Sequence, residues 1–327
     1  MVKLAEEGTT TEKKATRAAY GVTLAQLAKE GVPVVAVDAD LCGSTTTRAF
    51  AQAAPENAKR LFDCGIAEQN MIDVAAGLSL AGYTAFTGSF AVFGTGRAYD
   101  QIRNTIAYSK LNVKIAPTHA GVSVGPDGGS HQMLEDISLM RGLPGMTVLV
   151  PADYAAASAA IRLAAKTPGP VYVRMGRAKV PAVYADGVEL EAGHAYVLRE
   201  GHDVSIIACG VEIREALIAH DMLAEKGISA EVIDAFSVKP LDTATIIGSV
   251  RKTGCAVACE EHSIYGGLGS AVAETLATQY PAPLECIGVR DHFGKSASFE
   301  ELMHHFGLDA PSIVKAVEKV KARKGVC

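Results

Sequence analysis

The segment TRAAYGVTLAQLAKEGVPVVAVDAD, residues 16–40, sets an Ala-rich helical stretch, Thr16 to Lys29, directly before a β-branched run, Val32 to Asp40. An apolar run of that kind without polar alternation marks a strand covered on both faces, as in a parallel sheet flanked by helices. The alternation then repeats. Asn70 to Ala81, Ala98 to Ser109 and Tyr154 to Lys166 read as helices; Val113 to Thr118, Met146 to Pro151 and Pro170 to Arg174 read as further buried strands. Strands joined by crossover helices predict an α/β class of three layers over residues 15–177.

Residues 1–14 are polar and mixed in charge, and read as an N-terminal tail. Residues 178–202 are a mixture of Gly, Pro and short polar side chains, the composition of a linker, with a small hairpin expected inside it. Residues 203–327 repeat the alternation on a smaller scale, with strands at Asp203 to Cys209, Ser229 to Asp234 and Cys255 to Glu260 and a helix at Glu212 to Lys226. At 327 residues the chain exceeds one average domain, and two three-layer α/β/α units account for it.

Composition narrows the function. A formal charge of -5 with no dense Lys/Arg run excludes a nucleic-acid surface, whose affinity comes from neutralised phosphates. No apolar signal core and no stretch long enough to span a bilayer predict a soluble cytoplasmic protein with no membrane role. Seven cysteines, odd in number and scattered, predict reduced thiols and no disulfide framework. Cys255 and Cys259 lack the tight pairing of a zinc site, so no metal is assigned to this chain's own side chains. The glycines Gly266 to Gly269 lie inside the second unit and read as close strand-to-helix packing, not a nucleotide fingerprint.

Chemistry concentrates in three stretches. Gly65-Ile66-Ala67-Glu68-Gln69-Asn70-Met71 puts a carboxyl group at the start of a small, apolar helix. In so dry a place it keeps its proton unless it finds a partner, although a Glu in a first helical turn is by itself an ordinary dipole-stabilised carboxylate. Gly88-Ser89-Phe90-Ala91-Val92-Phe93-Gly94 supplies two aromatic rings, which core packing alone could use. Thr118 to Gln132 is a glycine-rich loop after a strand, and it carries His119, Asp127 and His131 together. Loops at strand ends are where open α/β sheets hold their sites.

These stretches, from about Thr16 to Ala316, resemble the C-terminal half of a transketolase. The resemblance implies a thiamin-diphosphate pyrimidine-binding domain followed by a Rossmann-like transketolase C-terminal domain. It implies thiamin diphosphate as cofactor, with Glu68 as the acid on the aminopyrimidine N1′. Phe93 would stack on that ring beside Phe90, with Asp40 and Leu41 near the cofactor's middle. It implies a sugar-phosphate grip by Arg17, Ser44, His119 and Arg174, with Asp127 reading a hydroxyl and His131 beside the reacting carbonyl. Guanidinium forks and a neutral hydroxyl donor suit phosphate oxygens.

The family's diphosphate anchor, magnesium on the Asp of a Gly-Asp-Gly and a later Asn, has no counterpart here, since Asn112 is the last asparagine. The resemblance therefore implies an N-terminal partner subunit that carries the Gly-Asp-Gly motif and the magnesium ligands, in an assembly of two such chains with two partners. The expected activity is transfer of a two-carbon ketol unit between sugar phosphates, as in the pentose phosphate pathway. Two departures stand out. Cys42-Gly43 replaces the family's Thr-Pro before Ser44, and Gly96 replaces a common aromatic in a run, Arg97-Ala98-Tyr99-Asp100-Gln101, that resembles deoxyxylulose phosphate synthases. That synthase activity, a 2-oxo acid dehydrogenase β subunit and a non-catalytic assembly subunit are the alternatives.

Overall fold

The chain was described from a computed structural model, which covers residues 2–5 and 12–324. Parts of the expected tail, residues 1 and 6–11, and the thiol of Cys327 lie outside the described residues.

Fourteen strands occur among the described residues: β1 Lys14–Ala15, β2 Val34–Asp38, β3 Leu61–Asp63, β4 Thr84–Gly88, β5 Val113–Ile115, β6 Thr147–Leu149, β7 Val171–Val173, β8 Lys179–Val180, β9 Tyr196–Arg199, β10 Val204–Ala208, β11 Ala230–Asp234, β12 Ser237–Lys239, β13 Ala256–Ser263 and β14 Leu284–Val289. Seven form one sheet in the order β12-β6-β7-β5-β4-β2-β3, and five form a second in the order β14-β13-β10-β11-β9. Each sheet is parallel except at one edge, where β12 runs antiparallel to β6 and β9 antiparallel to β11. Both sheets are flanked by helices, which is the expected α/β architecture.

The strand pattern follows from the two-residue side-chain period. Val34 and Ala36 point into one apolar core, Val35 and Val37 into another, and all four are fully buried. Each core runs on into the second unit: the first takes in Val204 and Ile206, the second Ile207 and Ile233.

Two expectations change. The segment 178–202 holds no hairpin of its own; β8 pairs antiparallel with β1, and β9 joins the second sheet. This segment is pinned on both sides, because Asp153 accepts the amides of Val183 and Tyr184 at 2.6 and 2.8 Å while the Tyr184 hydroxyl donates to Asp234 at 2.6 Å. The helix expected at Ala98 to Ser109 is instead an α turn, Tyr99–Gln101, between two wider π-helical segments, Val92–Arg97 and Ile102–Tyr108. Gly94-Thr95-Gly96 is a poor helix former, and the Thr95 hydroxyl donates to the Ala91 carbonyl at 2.6 Å, loosening the regular ladder.

Candidate active site

The candidate residues follow the carboxyl ends of β2, β3, β4, β5 and β7, save Arg17, which sits in a short 3₁₀ turn at Thr16–Ala19. Parallel sheets present their loops, and so their sites, at that edge.

Glu68 opens the helix Glu68–Leu80, which buries Met71, Ile72, Ala75 and Ala76 and packs on β2 and β4. Its side chain is 1% exposed. The dryness read from the sequence is therefore present, but the carboxyl group has a partner. Arg97 donates to Glu68 Oε2 at 2.7 Å, and the Ser89 hydroxyl to Oε1 at 3.4 Å. The guanidinium carbon of Arg97 also lies 4.5 Å from the centre of the Phe93 ring. Glu68 stands as one half of an ion pair with Arg97, the partner whose presence the sequence reading left open.

The aromatic residues are joined to the histidines. Phe90 and Phe93 are nearly parallel, with ring centres 6.3 Å apart. His119 stacks on Phe90 at 3.7 Å, and His131 meets Phe93 edge-on at 5.3 Å. His131 Nδ1 lies 2.9 Å from the Ser130 hydroxyl. His119 and Asp40 both hold left-handed backbone at φ of 60°, strain that clusters at sites.

Around His119 lies a cluster rich in cations. Arg17 Nη1 stands 3.4 Å from His119 Nε2 and donates to the Ser44 carbonyl at 2.5 Å. Ser44 thus meets Arg17 through its backbone, not its hydroxyl. Arg177 donates to the Val124 carbonyl at 2.7 Å. Burial first, then Arg17, Arg177 and His131, pushes the His119 imidazole down to about 3, so it is neutral at physiological pH. Burial and Arg177 hold Arg17 below the usual guanidinium value, and Asp127 pulls it back up. Two arginines around a neutral imidazole make a place where an anion gains.

Arg174, expected in this cluster, is elsewhere. It is buried, donates to both oxygens of Asp136 at 2.7 and 3.2 Å, and reaches the Glu261 carbonyl at 2.9 Å. The Tyr172 hydroxyl completes Asp136 at 2.5 Å. With its charge already matched, Arg174 ties the first sheet to β13 and is not available to a phosphate. Arg177, three residues on and half-buried, is the arginine beside His119.

Loops are held by acids from below. Asp38 accepts the Leu41 amide at 2.7 Å and the hydroxyls of Thr45 and Thr47 at 3.1 and 3.0 Å, which fixes the turn bearing Asp40, Leu41 and Ser44. Burial raises its carboxyl to about 6 against these three hydrogen bonds. Asp40 itself is exposed, its amide donating to Asp63 at 3.0 Å. From β13, the Glu261 carboxylate accepts the Ser123 amide in the glycine-rich loop. Further along, Glu260 accepts the amides of Leu268 and Gly269 at 2.7 and 2.8 Å. The helix start after Gly266 is thereby occupied by a carboxylate, in keeping with its reading as a packing turn.

Comparison with known proteins decides the family. The transketolase pyrimidine-binding domain model matches residues 12–182, and the transketolase C-terminal domain model matches residues 193–313. The chain belongs to the transketolase family. It is 47% identical over 307 residues to a putative transketolase C-terminal section of Methanocaldococcus jannaschii, covering 93% of this chain and 95% of that one. It is 42% identical to a 6-deoxy-6-sulfo-D-fructose transketolase subunit of a Clostridium species, covering 94% and 95%. A solved split gene transketolase, an inactive β4 tetramer, superposes with a TM-score of 0.87 at 48% identity, covering 96% of this chain and 100% of that chain.

Transketolases are thiamin diphosphate enzymes, and the residues here fit half of that group. A buried carboxylate beside a partly buried phenyl ring, at present satisfied by a flat cation, has the chemistry to receive a flat aminopyrimidine. Among the described residues no group of three or more His, Cys, Asp or Glu could hold a metal ion. This transketolase chain also contains site residues that the sequence reading passed over: Arg177, Asp38, Ser89, Arg97 and Glu261. Only Arg97 had a signal, as part of a noted departure.

Proposed function

We propose that this chain is the C-terminal subunit of a split transketolase that moves a two-carbon ketol unit between sugar phosphates. It works only with an N-terminal partner that holds the magnesium and the diphosphate on a Gly-Asp-Gly motif, as two chains with two partners, in the cytoplasm. The observation that carries this reading is the Glu68 carboxylate, buried beside the Phe93 ring and next to an arginine-histidine cluster suited to an anion.

When bound, thiamin diphosphate supplies the carbanion chemistry that opens a ketose carbon-carbon bond. In its acid form Glu68 would donate to the pyrimidine edge, Phe93 would support its face with Phe90 behind, and Asp40 and Leu41 would border the middle of the cofactor. Arg17 and Arg177 hold the anionic end of the sugar, with the Ser44 hydroxyl as a further donor and the neutral His119 beside them. Asp127, exposed beside Arg17, accepts a sugar hydroxyl, and His131 hydrogen-bonds at the reacting carbonyl. Holding both ends of the sugar orients it for reaction. The sulfonated sugar in one relative's name carries an anion of the same charge sign, which this cluster would also receive.

Reconstitution with the partner tests the reading. Ketol transfer between sugar phosphates is expected from the pair and lost in Glu68→Ala. Transfer undiminished in Glu68→Ala overturns it, as does carbon dioxide release from pyruvate as the main reaction.

A further inference from the structure

Arg97 belongs to the stretch that departs from the family pattern, and the mechanism above gives it no task. Its position gives it one. Its guanidinium touches the two groups assigned to the pyrimidine, Glu68 at 2.7 Å and the Phe93 face at 4.5 Å. It is a planar, hydrogen-bond-donating cation lying on the ring the pyrimidine would use and bonded to the acid the pyrimidine would use.

The two partners differ in what separation costs them. The Glu68 side chain is 1% exposed, and without Arg97 it keeps only the Ser89 hydroxyl at 3.4 Å. A buried carboxylate left that way is costly. The Arg97 side chain is 48% exposed and can move into water while its backbone carbonyl stays on Gln69 at 3.5 Å. Displacement by moving Arg97 is therefore the low-cost route.

We propose that Arg97 is the displaceable occupant of the pyrimidine seat and sets cofactor affinity by competing for Glu68 and Phe93. The inference rests on the proposed function. It implies that this chain alone keeps its seat filled, because a tethered side chain competes at high effective concentration. Only a cofactor also held through its diphosphate by the partner gains enough to move it.

The test is calorimetric titration of thiamin diphosphate, with excess magnesium, into the reconstituted complex. Arg97→Ala is expected to bind about tenfold tighter than the wild type, and Arg97→Gln, which keeps a hydrogen bond but no charge, to fall between. Arg97→Gln also serves if the alanine variant fails to fold. A 4-amino-2-methylpyrimidine titrated into the isolated chain should show saturable shifts in its NMR signals with Arg97→Ala and none with the wild type. Equal or weaker cofactor binding by both variants overturns the competition while leaving the functional reading in place. Absence of binding by the wild-type complex as well removes both.

Discussion

Arg174 and Arg177 lie one short turn apart, yet one is matched to Asp136 in the core and the other faces His119 at the site. Their substitutions should separate accordingly. Arg174→Ala leaves Asp136 buried without its counterion, a loss of about 3–5 kcal/mol expected in denaturant unfolding. Arg177→Ala should leave unfolding nearly unchanged and raise KM for a sugar phosphate about 10- to 100-fold in the reconstituted enzyme, since it removes a charged hydrogen-bond donor. His119, pushed down to about 3, does not change charge between pH 5 and 9. A kcat/KM profile should therefore have no limb that disappears in His119→Asn. The sequence reading named Arg174 and passed over Arg177, because what sets them apart is Asp136, 38 residues from Arg174 in the chain.

Among the elements, the glycine-rich loop is the most exacting. Gly121 has φ of 79°, and a Cβ there would overlap the Glu261 carboxyl group. Gly121→Ala should displace the loop bearing His119, Asp127 and His131, seen as a higher KM and a lower kcat together, with pairing of the two sheets retained in circular dichroism. Strands β2, β5, β6, β7, β10, β11 and β13 were legible because burial on two faces leaves no polar alternation to confuse the period, whereas β3, β4, β9, β12 and β14 were not read as strands. The loop was legible because two histidines, an aspartate and glycines followed a strand. What remained hidden was pairing over distance: β8 with β1, β9 with β11, Arg97 with Glu68 and Glu261 with Ser123, none of which leaves a local pattern. The π-helical winding of Val92–Arg97, which brings Arg97 over Phe93, was hidden for the same reason.

Across the whole molecule, buried acids set the pH response. Burial pushes Asp234 and Glu261 up to about 7 and Asp38 to about 6, so the folded chain binds more protons than the unfolded one between roughly pH 4 and 7. For acids raised in this way the stability contribution is full below the ordinary carboxyl value and is lost as pH rises toward 7. Thermal unfolding should therefore occur at its highest temperature near pH 5 and fall as pH rises to about 7. Asp234→Asn should flatten that slope. Below pH 4 the trend reverses as carboxylates held low by partners, Asp136 among them, take up protons.

The strand β12 leaves the second unit to close the edge of the first sheet on β6. A gene cut at the seam between the two family domains would hence encode a leading fragment that ends with an open sheet border, prone to clumping. The trailing fragment would carry the missing border strand, so the two should recover as a soluble pair only when made in the same cell.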